Sequence, residues 1–361
     1  MAYHRLMPYN DLPDLPPDVD LNAPEILLLL SQASRHLGEL KGLCASLPDP
    51  SILINTLVIQ ESKDSSAIEN IVTTQDELYR AVANDDFVSS AAKEVLNYQE
   101  ALRIGLGRMR QHNLLVTNTF FDIVQALKQN KAGIRNTPGT ALSNANSNEI
   151  VYTPPCCEDV IRQKLAALER FINEDQPGAP DPLIKLALMH HQFEAIHPFI
   201  DGNGRTGRIL NVLYLVQQDL LPEPVLYLSR YINYYKSDYY RLLHLVTEQQ
   251  AWKEWIVFIL NGISETARLT TSKIRRMLVL MTVMETELRQ TLGARYDHNL
   301  LKLMFTLPYL KIELVERSGL ATRQTASGYL KRLADASILM PSKIGRTTYY
   351  VNQRLIDLLT D

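Results

Sequence analysis

The sequence predicts a mainly α protein with a short β-hairpin in its middle and a helix–turn–helix unit near its end. Three observations carry that prediction. From Asn22 onward apolar residues recur at three- and four-residue intervals in most segments, with few strand-like alternations. One stretch, Gly133 to Pro155, breaks that period, and after Leu292 the texture changes again. The 361 residues suffice for two or more domains, and 46% apolar with 21% charged residues is ordinary for a globular chain.

Residues up to about Leu21 read as an extended, proline-punctuated arm. Helices are expected at 24–47, 51–60, 64–71, 74–83, 89–109, 116–129, 157–174, 181–197, 204–217, 235–248 and 250–289. Within 133–155, two β-prone runs flank the Asn/Ser/Ala cluster Ser143 to Asn148, which predicts a hairpin flap. Helical pieces at 298–306 and 311–318 lead into "SGLATRQTASGYLKRLADASIL". There Gly319 makes the turn, Thr322 stands where a helix cap belongs, and Ala326, Tyr329, Leu330 and Leu333 line the inner face. A following short hairpin completes a winged-helix pattern, with a domain boundary near 293.

A net charge of −3 predicts no bulk attraction to nucleic acid or membrane and leaves room only for a local patch. One such patch lies between Ala321 and Arg346, where Arg323, Lys331, Arg332, Lys343 and Arg346 stand against Asp335 alone. It suits a DNA backbone or a protein contact. Cys44, Cys156 and Cys157 form no disulfide framework and no C-x-x-C spacing, so a reducing cytoplasm is expected. The Pro- and Asp-rich start lacks a secretory h-region, and apolar runs such as Ile26 to Leu30 are too short to cross a bilayer.

The chemistry concentrates in "HPFIDGNGRTGR", His197 to Arg208. Gly202, Gly204 and Gly207 have the G-x-G-x-x-G spacing of a dinucleotide fingerprint, but that fingerprint needs a preceding strand. Here Leu183, Ile184, Ala187, Leu188 and Phe193 follow helical spacing, so a helix leads in. His190, Glu194 and His197 stand at i, i+4 and i+7, which a transition metal accepts, although no H-E-x-x-H pattern or second Glu-x-x-His accompanies them. Histidines hydrogen-bonded in a helical core explain His190 and His191 better.

A third reading uses every residue of the stretch. Gly202, Asn203 and Gly204 open a helix from Arg205, and glycine permits the backbone angles that aim N–H groups into an anion nest. The helix N-terminus adds roughly half a positive charge. Arg205 and Arg208, one turn apart, offer rigid donor forks to phosphate oxygens. Asp201 is a hard oxygen ligand suited to Mg²⁺. His197, before the turn, can take a proton from an attacking hydroxyl, since imidazole titrates near ~6.5. The set suits attack on a nucleotide phosphate.

The stretch matches the signature His-x-Phe-x-(Asp/Glu)-Gly-Asn-Gly-Arg-x-x-Arg at every defined position, and the chain resembles bacterial Fic proteins with an N-terminal arm, a helical Fic core and a C-terminal winged helix. The resemblance implies transfer of AMP from ATP to a hydroxyl on a target protein. It implies His197 as base, Asp201 as Mg²⁺ ligand, and Gly202–Gly204 as cradle for the α- and β-phosphates, with Asn203, Arg205, Thr206 and Gly207 at the nucleotide. It places Arg208 at the γ-phosphate, Tyr240 near the adenine, and a target segment paired along the flap. Transfer of another moiety, such as UMP, phosphocholine or a terminal phosphate, is an alternative. Intact Gly204 and Arg205 favour α-phosphate attack. A nucleotide-sensing DNA-binding regulator is a second alternative.

"SSAIENI", Ser65 to Ile71, fits the family's inhibitory pattern (Ser/Thr)-x-x-x-Glu-(Gly/Asn) through Ser65, Glu69 and Asn70. The resemblance implies a short helix at about 64–71 that aims Glu69 at Arg208. The expected organisation is an arm and helical region at 1–110, a Fic core at 111–292 and a winged-helix domain at 293–361. A homodimer is a further expectation, from the exposed apolar helices usual in such cores.

Overall fold

The computed structural model describes residues 3–47, 51–83, 89–131, 133–136, 139–143, 149–174, 178–344 and 346–360. It is mainly helical. The first half of the chain forms α1 (Pro24–Ala45), α2 (Ser51–Ile68), α3 (Gln75–Ala83), α4 (Ser90–His112) and α5 (Thr117–Lys128). A two-stranded flap follows, β1 (Leu142–Ser143) and β2 (Ile150–Tyr152), and then α6 (Glu158–Asn173), α7 (Pro182–Ile196) and α8 (Asn203–Gln217). Next come α9 (Leu228–Tyr234), α10 (Lys236–Gln249) and the 41-residue α11 (Trp252–Leu292), about 60 Å long at 1.5 Å per residue.

Local chemistry sets several helix starts. Asp181 accepts from the Leu183 N–H at 2.8 Å and Pro182 fills the first turn, where a missing N–H costs nothing. Ser89 accepts from the Ala92 N–H at 3.1 Å to open α4. α7 is buried on nearly every face, as a helix at the centre of a bundle must be. It packs on α6, α8 and α11, and the Trp255 indole donates to the Ala187 carbonyl at 2.7 Å. The α7–α8 pair is thus held rigidly, and the loop between them carries the motif.

Two expectations change here. The helices read at 51–60 and 64–71 are one continuous α2, because Glu61 and Ser62 are buried rather than solvent-facing. The Ser62 hydroxyl donates to the Val58 carbonyl at 2.6 Å, and Glu61 accepts from Tyr98 and Ser229. The helix expected from Arg205 begins at Asn203. The arm is extended as expected, but it is bound to the flap. The Tyr9 N–H donates to the Thr153 carbonyl at 3.1 Å, the Thr153 hydroxyl to the Arg5 carbonyl at 2.7 Å, and the Tyr3 hydroxyl to the Val151 carbonyl at 3.1 Å. The hairpin pairs Leu142 with Tyr152 and Ser143 with Ile150, while most of the predicted Asn/Ser/Ala cluster, 144–148, lies outside the described residues.

After α11 come α12 (His298–Thr306), β3 (Tyr309–Leu310), α13 (Ile312–Arg317), α14 (Arg323–Asp335), β4 (Met340–Ile344), β5 (Thr347–Val351) and α15 (Gln353–Thr360). The strands form one antiparallel sheet in the order β3-β5-β4. Gly319 turns between α13 and α14 with φ +75°, and Ala326, Leu330 and Leu333 are buried. Thr322 stands at the N-cap but its hydroxyl meets that of Thr325 at 3.1 Å rather than a helix N–H. The basic surplus there is smaller than the sequence suggests. Arg323 pairs with Glu313 at 2.7 Å and Glu316 at 3.6 Å, both from α13, which the turn folds alongside α14.

Candidate active site

The motif loop is built on backbone that only some residues tolerate. His197 caps α7 in the left-handed region at φ +48°, and its N–H still donates to the Phe193 carbonyl at 3.0 Å. Gly202 precedes α8 at φ +87°, where a Cβ costs energy. Asn203 staples the loop shut: its side chain accepts from the Phe199 N–H and donates to the Phe199 carbonyl, both at 2.8 Å. Asn203 therefore contributes its side chain to the loop, while the N–H groups that follow Gly202 point from the start of α8.

Arg135 joins flap and loop. Its guanidinium donates to the carbonyls of His197 (2.7 Å), Ile196 (3.3 Å) and Pro155, and its N–H donates to the Pro198 carbonyl at 2.9 Å. The Tyr152 hydroxyl adds a bond to the Ala195 carbonyl at 2.8 Å. Burial, then the Arg135 charge, pushes the His197 imidazole down to about 4. Its Nδ1 is buried without a hydrogen-bond partner among the described residues. At neutral pH this ring is uncharged and keeps a lone pair. His190 and His191, by contrast, are core residues: His190 meets the Tyr239 hydroxyl at 3.0 Å and stacks on Trp255, and His191 reaches the Leu243 carbonyl at 3.3 Å.

Asp201 lies at the surface of the loop with its side chain 60% exposed. It accepts from the Gly202 N–H at 2.6 Å and pairs with Lys128 at 2.5 Å. Partial burial raises its pKa, but the Lys128 bond and charge, with Arg205, hold it below the usual carboxylate range. Arg205 turns into the protein, to Glu94 at 2.9 Å, with Asp201 at 3.8 Å. Among the described residues no group of three His, Cys, Asp or Glu side chains could enclose a metal. A lone, accessible carboxylate fits Mg²⁺, which usually takes one or two protein carboxylates and completes its octahedron with phosphates and water.

Arg208 is 3% exposed and is met by α2. Its Nε donates to the Ser65 hydroxyl at 2.8 Å, and one terminal nitrogen donates to the Ser65 carbonyl at 2.9 Å and to Glu69 at 2.8 Å. Burial opposes its charge, but Glu69, then Tyr239, holds its pKa above the ordinary value. The Glu69 carboxylate also lies so close over Gly204 that a Cβ there would collide with it. Glu69 thus covers the start of α8. Asn70 follows at φ +61°, a left-handed position that Asn and Gly tolerate best, and Lys236 holds its side chain at 3.1 Å. Each defined position of the Ser65–Asn70 pattern has a physical role: Ser65 is an acceptor, Glu69 a carboxylate and Asn70 a left-handed helix end.

Tyr240 is 46% exposed and packs edge-on against Tyr239, and burial, then the Glu69 charge, raises its phenol pKa. Thr206 and Gly207 are buried in α8, with a Cβ on Gly207 meeting Glu194 at 2.6 Å. Sequence reasoning missed Lys128, Glu94, Arg135 and Glu61, which come from distant segments and carry no local signal. Glu194 carried one, its spacing with His197. Burial pushes its carboxyl up to about 7.

Three family models match the chain: Fic/DOC family N-terminal at 27–107, Fic/DOC family at 112–215, and the C-terminal domain of protein adenylyltransferase SoFic-like at 280–355. Protein adenylyltransferase fic-1 of Caenorhabditis briggsae is 35% identical over 86 residues, 24% of this chain and 17% of that protein. Protein adenylyltransferase Fic of Nematostella vectensis is 33% identical over 93 residues, 26% of this chain and 20% of that protein. The matched region thus spans a fifth or less of those curated relatives. A Fic family protein from Desulfovibrio desulfuricans G20 shares the fold at TM-score 0.56 and 21% identity, over 93% of this chain and 98% of that one. Fic-1 from C. elegans (residues 134–508) does so at TM-score 0.53 and 18% identity, over 72% and 75%.

Proposed function

The chain belongs to the Fic/DOC family, and on that premise we propose that it is an autoinhibited protein adenylyltransferase, moving AMP from ATP to a side-chain hydroxyl of a target protein or of itself. The observation that carries this reading is an uncharged imidazole at a glycine-built helix N-terminus whose Arg208 is held by Glu69. The acceptor oxygen forms a bond to the α-phosphorus as His197 takes its proton. The bond from that phosphorus to the bridging oxygen breaks, and its electron pair leaves on pyrophosphate. N–H groups at the start of α8 hold the phosphate oxygens, aided by the helix dipole. Asp201 would hold Mg²⁺, which offsets negative charge on the phosphates when bound.

In this reading a target segment aligns along the flap, next to His197. With Glu69 on Arg208, the γ-phosphate lacks its donor and the nucleotide settles out of line for attack. A lateral error of about 1 Å can cost on the order of 10²-fold in rate. Incubation with α-labelled ATP and Mg²⁺, followed by mass spectrometry, tests the activity. The reading expects adducts of the mass of AMP on the Glu69→Gly variant and none on Glu69→Gly, His197→Ala. Label from γ-labelled ATP instead, or from neither, sinks it; preference for UTP would keep the chemistry and change the nucleotide.

A further inference from the structure

The segment that carries Glu69 is docked on the C-terminal domain at both ends. Upstream, the Gln60 side-chain amide on α2 donates to the Leu359 carbonyl in the last turn of α15. The buried Lys273 ammonium of α11 donates to the same carbonyl at 2.8 Å and to Gln60 Oε1 at 3.4 Å. A helix leaves its last carbonyls unpaired and partly negative, so a cation and an amide there make a firm joint. α2 also packs directly on α12. Downstream, on α3, Asp76 accepts from the Tyr309 hydroxyl of β3, the Tyr79 and Tyr309 rings stack with centroids 6.3 Å apart, and Gln75 accepts from the Thr360 hydroxyl at 3.1 Å.

The inhibitory contact lies between these joints. From Gln60 to Glu69 is nine residues, about 13 Å along a helix, and α2 is continuous to Ile68, where Glu69 and Asn70 turn out of it. Such a helix passes a shift at one end to the other with little loss. Freeing Arg208 requires Glu69 to withdraw, and Ser65, one turn earlier on the same helix and also bonded to Arg208, moves with it. Withdrawal therefore drags on the joints with α15 and β3.

We infer that Gln60, Lys273, Asp76 and Tyr309 are positioning residues: through them the C-terminal domain clamps α2 and α3 and holds Glu69 on Arg208. The inference rests on the autoinhibited reading above and adds what sets the strength of the inhibition. The domain's docking face is then part of the enzyme's control, and whatever loosens that face raises activity at a site that it does not touch. None of the four residues is placed at the nucleotide.

The test is a double-variant comparison in the full-length chain. Gln60→Ala and Tyr309→Phe, singly and together, are measured for labelled AMP incorporation with Glu69 present and in the Glu69→Gly background. With Glu69 present, each lost bond should raise incorporation about three- to tenfold; in the Glu69→Gly background neither should add anything. A variant that merely disturbs the fold would move both series alike. Asp76→Ala, which removes the acceptor, serves as a second route to the β3 joint should Tyr309→Phe fail to fold. Hydrogen exchange of the 61–71 amides should speed up in the same variants. Unchanged incorporation beside an activated Glu69→Gly overturns the clamp alone, as does an equal rise in both backgrounds. An inert Glu69→Gly together with His197-dependent activity in the parent overturns the autoinhibition on which the clamp rests.

Discussion

Arg205 and Arg208 lie one turn apart on α8, are equally buried, and each meets a glutamate from another segment, yet their surroundings differ in kind. Arg205 belongs to a ring of alternating charge: Arg205 to Glu94 at 2.9 Å, Glu94 to Lys128 at 4.0 Å, Lys128 to Asp201 at 2.5 Å, and Asp201 back to Arg205 at 3.8 Å. Its glutamate stands within the first turns of the 23-residue α4. Arg208 takes its carboxylate from the turn that ends α2, beside a left-handed asparagine. One pair is part of a charged framework around Asp201. The other, in the proposed reading, is a plug that a phosphate replaces. The family resemblance singles out Arg208 as the arginine that Glu69 meets, and the elements around the two arginines supply the physical difference between them.

The largest effect belongs to the proposed base, which both arginine pockets serve. His197→Ala should cut AMP transfer by about 10²–10⁴-fold in the Glu69→Gly background while leaving nucleotide affinity, measured by calorimetry, within a few-fold. Near-normal turnover at saturating ATP removes the base assignment. The two pockets should then part in sign. Glu69→Gly should raise incorporation by about 10²-fold, whereas Glu94→Gln should lower it about 10–100-fold, with part of the loss recovered at high Mg²⁺. A rise in Glu94→Gln like that of Glu69→Gly would show both pockets to be plugs.

A smaller effect reads the anchor of α2. Burial pushes the Glu61 carboxyl up to about 7, against Ser229 and Arg208, which lower it. A carboxyl raised in the folded state gives stability that is present below its unfolded pKa of about 4.3 and lost as pH rises through 7. Between pH 5.5 and 8.5 the parent should lose about 2 kcal/mol from this group, and Glu61→Gln, which cannot titrate, should be spared that loss in urea unfolding. Parallel pH curves for the two proteins would place the Glu61 pKa near its ordinary value.

Much of the candidate site was legible because twelve consecutive residues hold its proposed base, its carboxylate, its glycines and both arginines. The helical core was legible from spacing alone, as the α7 apolar positions show. What escaped did so for physical reasons. Glu61, Ser62 and Lys63 read as a polar break between two helices, yet burial and bonds to Tyr98 and Ser229 carry α2 straight through them. Lys128, Glu94 and Arg135 reach the site from three separate segments, and a lone Lys or Glu on a helix has no local mark of its partner. α15 did have a signal: Leu355, Leu358 and Leu359 are the three- and four-residue stripe that its burial uses. The short β-hairpin was readable from composition, but the arm bonded along it was not, since every one of those bonds has a backbone group as a partner, which any residue supplies.

The claim that Glu69 plugs the pocket of Arg208 is tested most directly by labelled AMP incorporation in three proteins under one condition: the parent, Glu69→Gly, and Glu69→Gly with Arg208→Ala. The account predicts little label on the parent, about 10²-fold more on Glu69→Gly, and a return to little or none in the double variant, because the arginine that is released is itself the donor the nucleotide needs. Label on Glu69→Gly equal to the parent, or retained in full after Arg208→Ala, would contradict it.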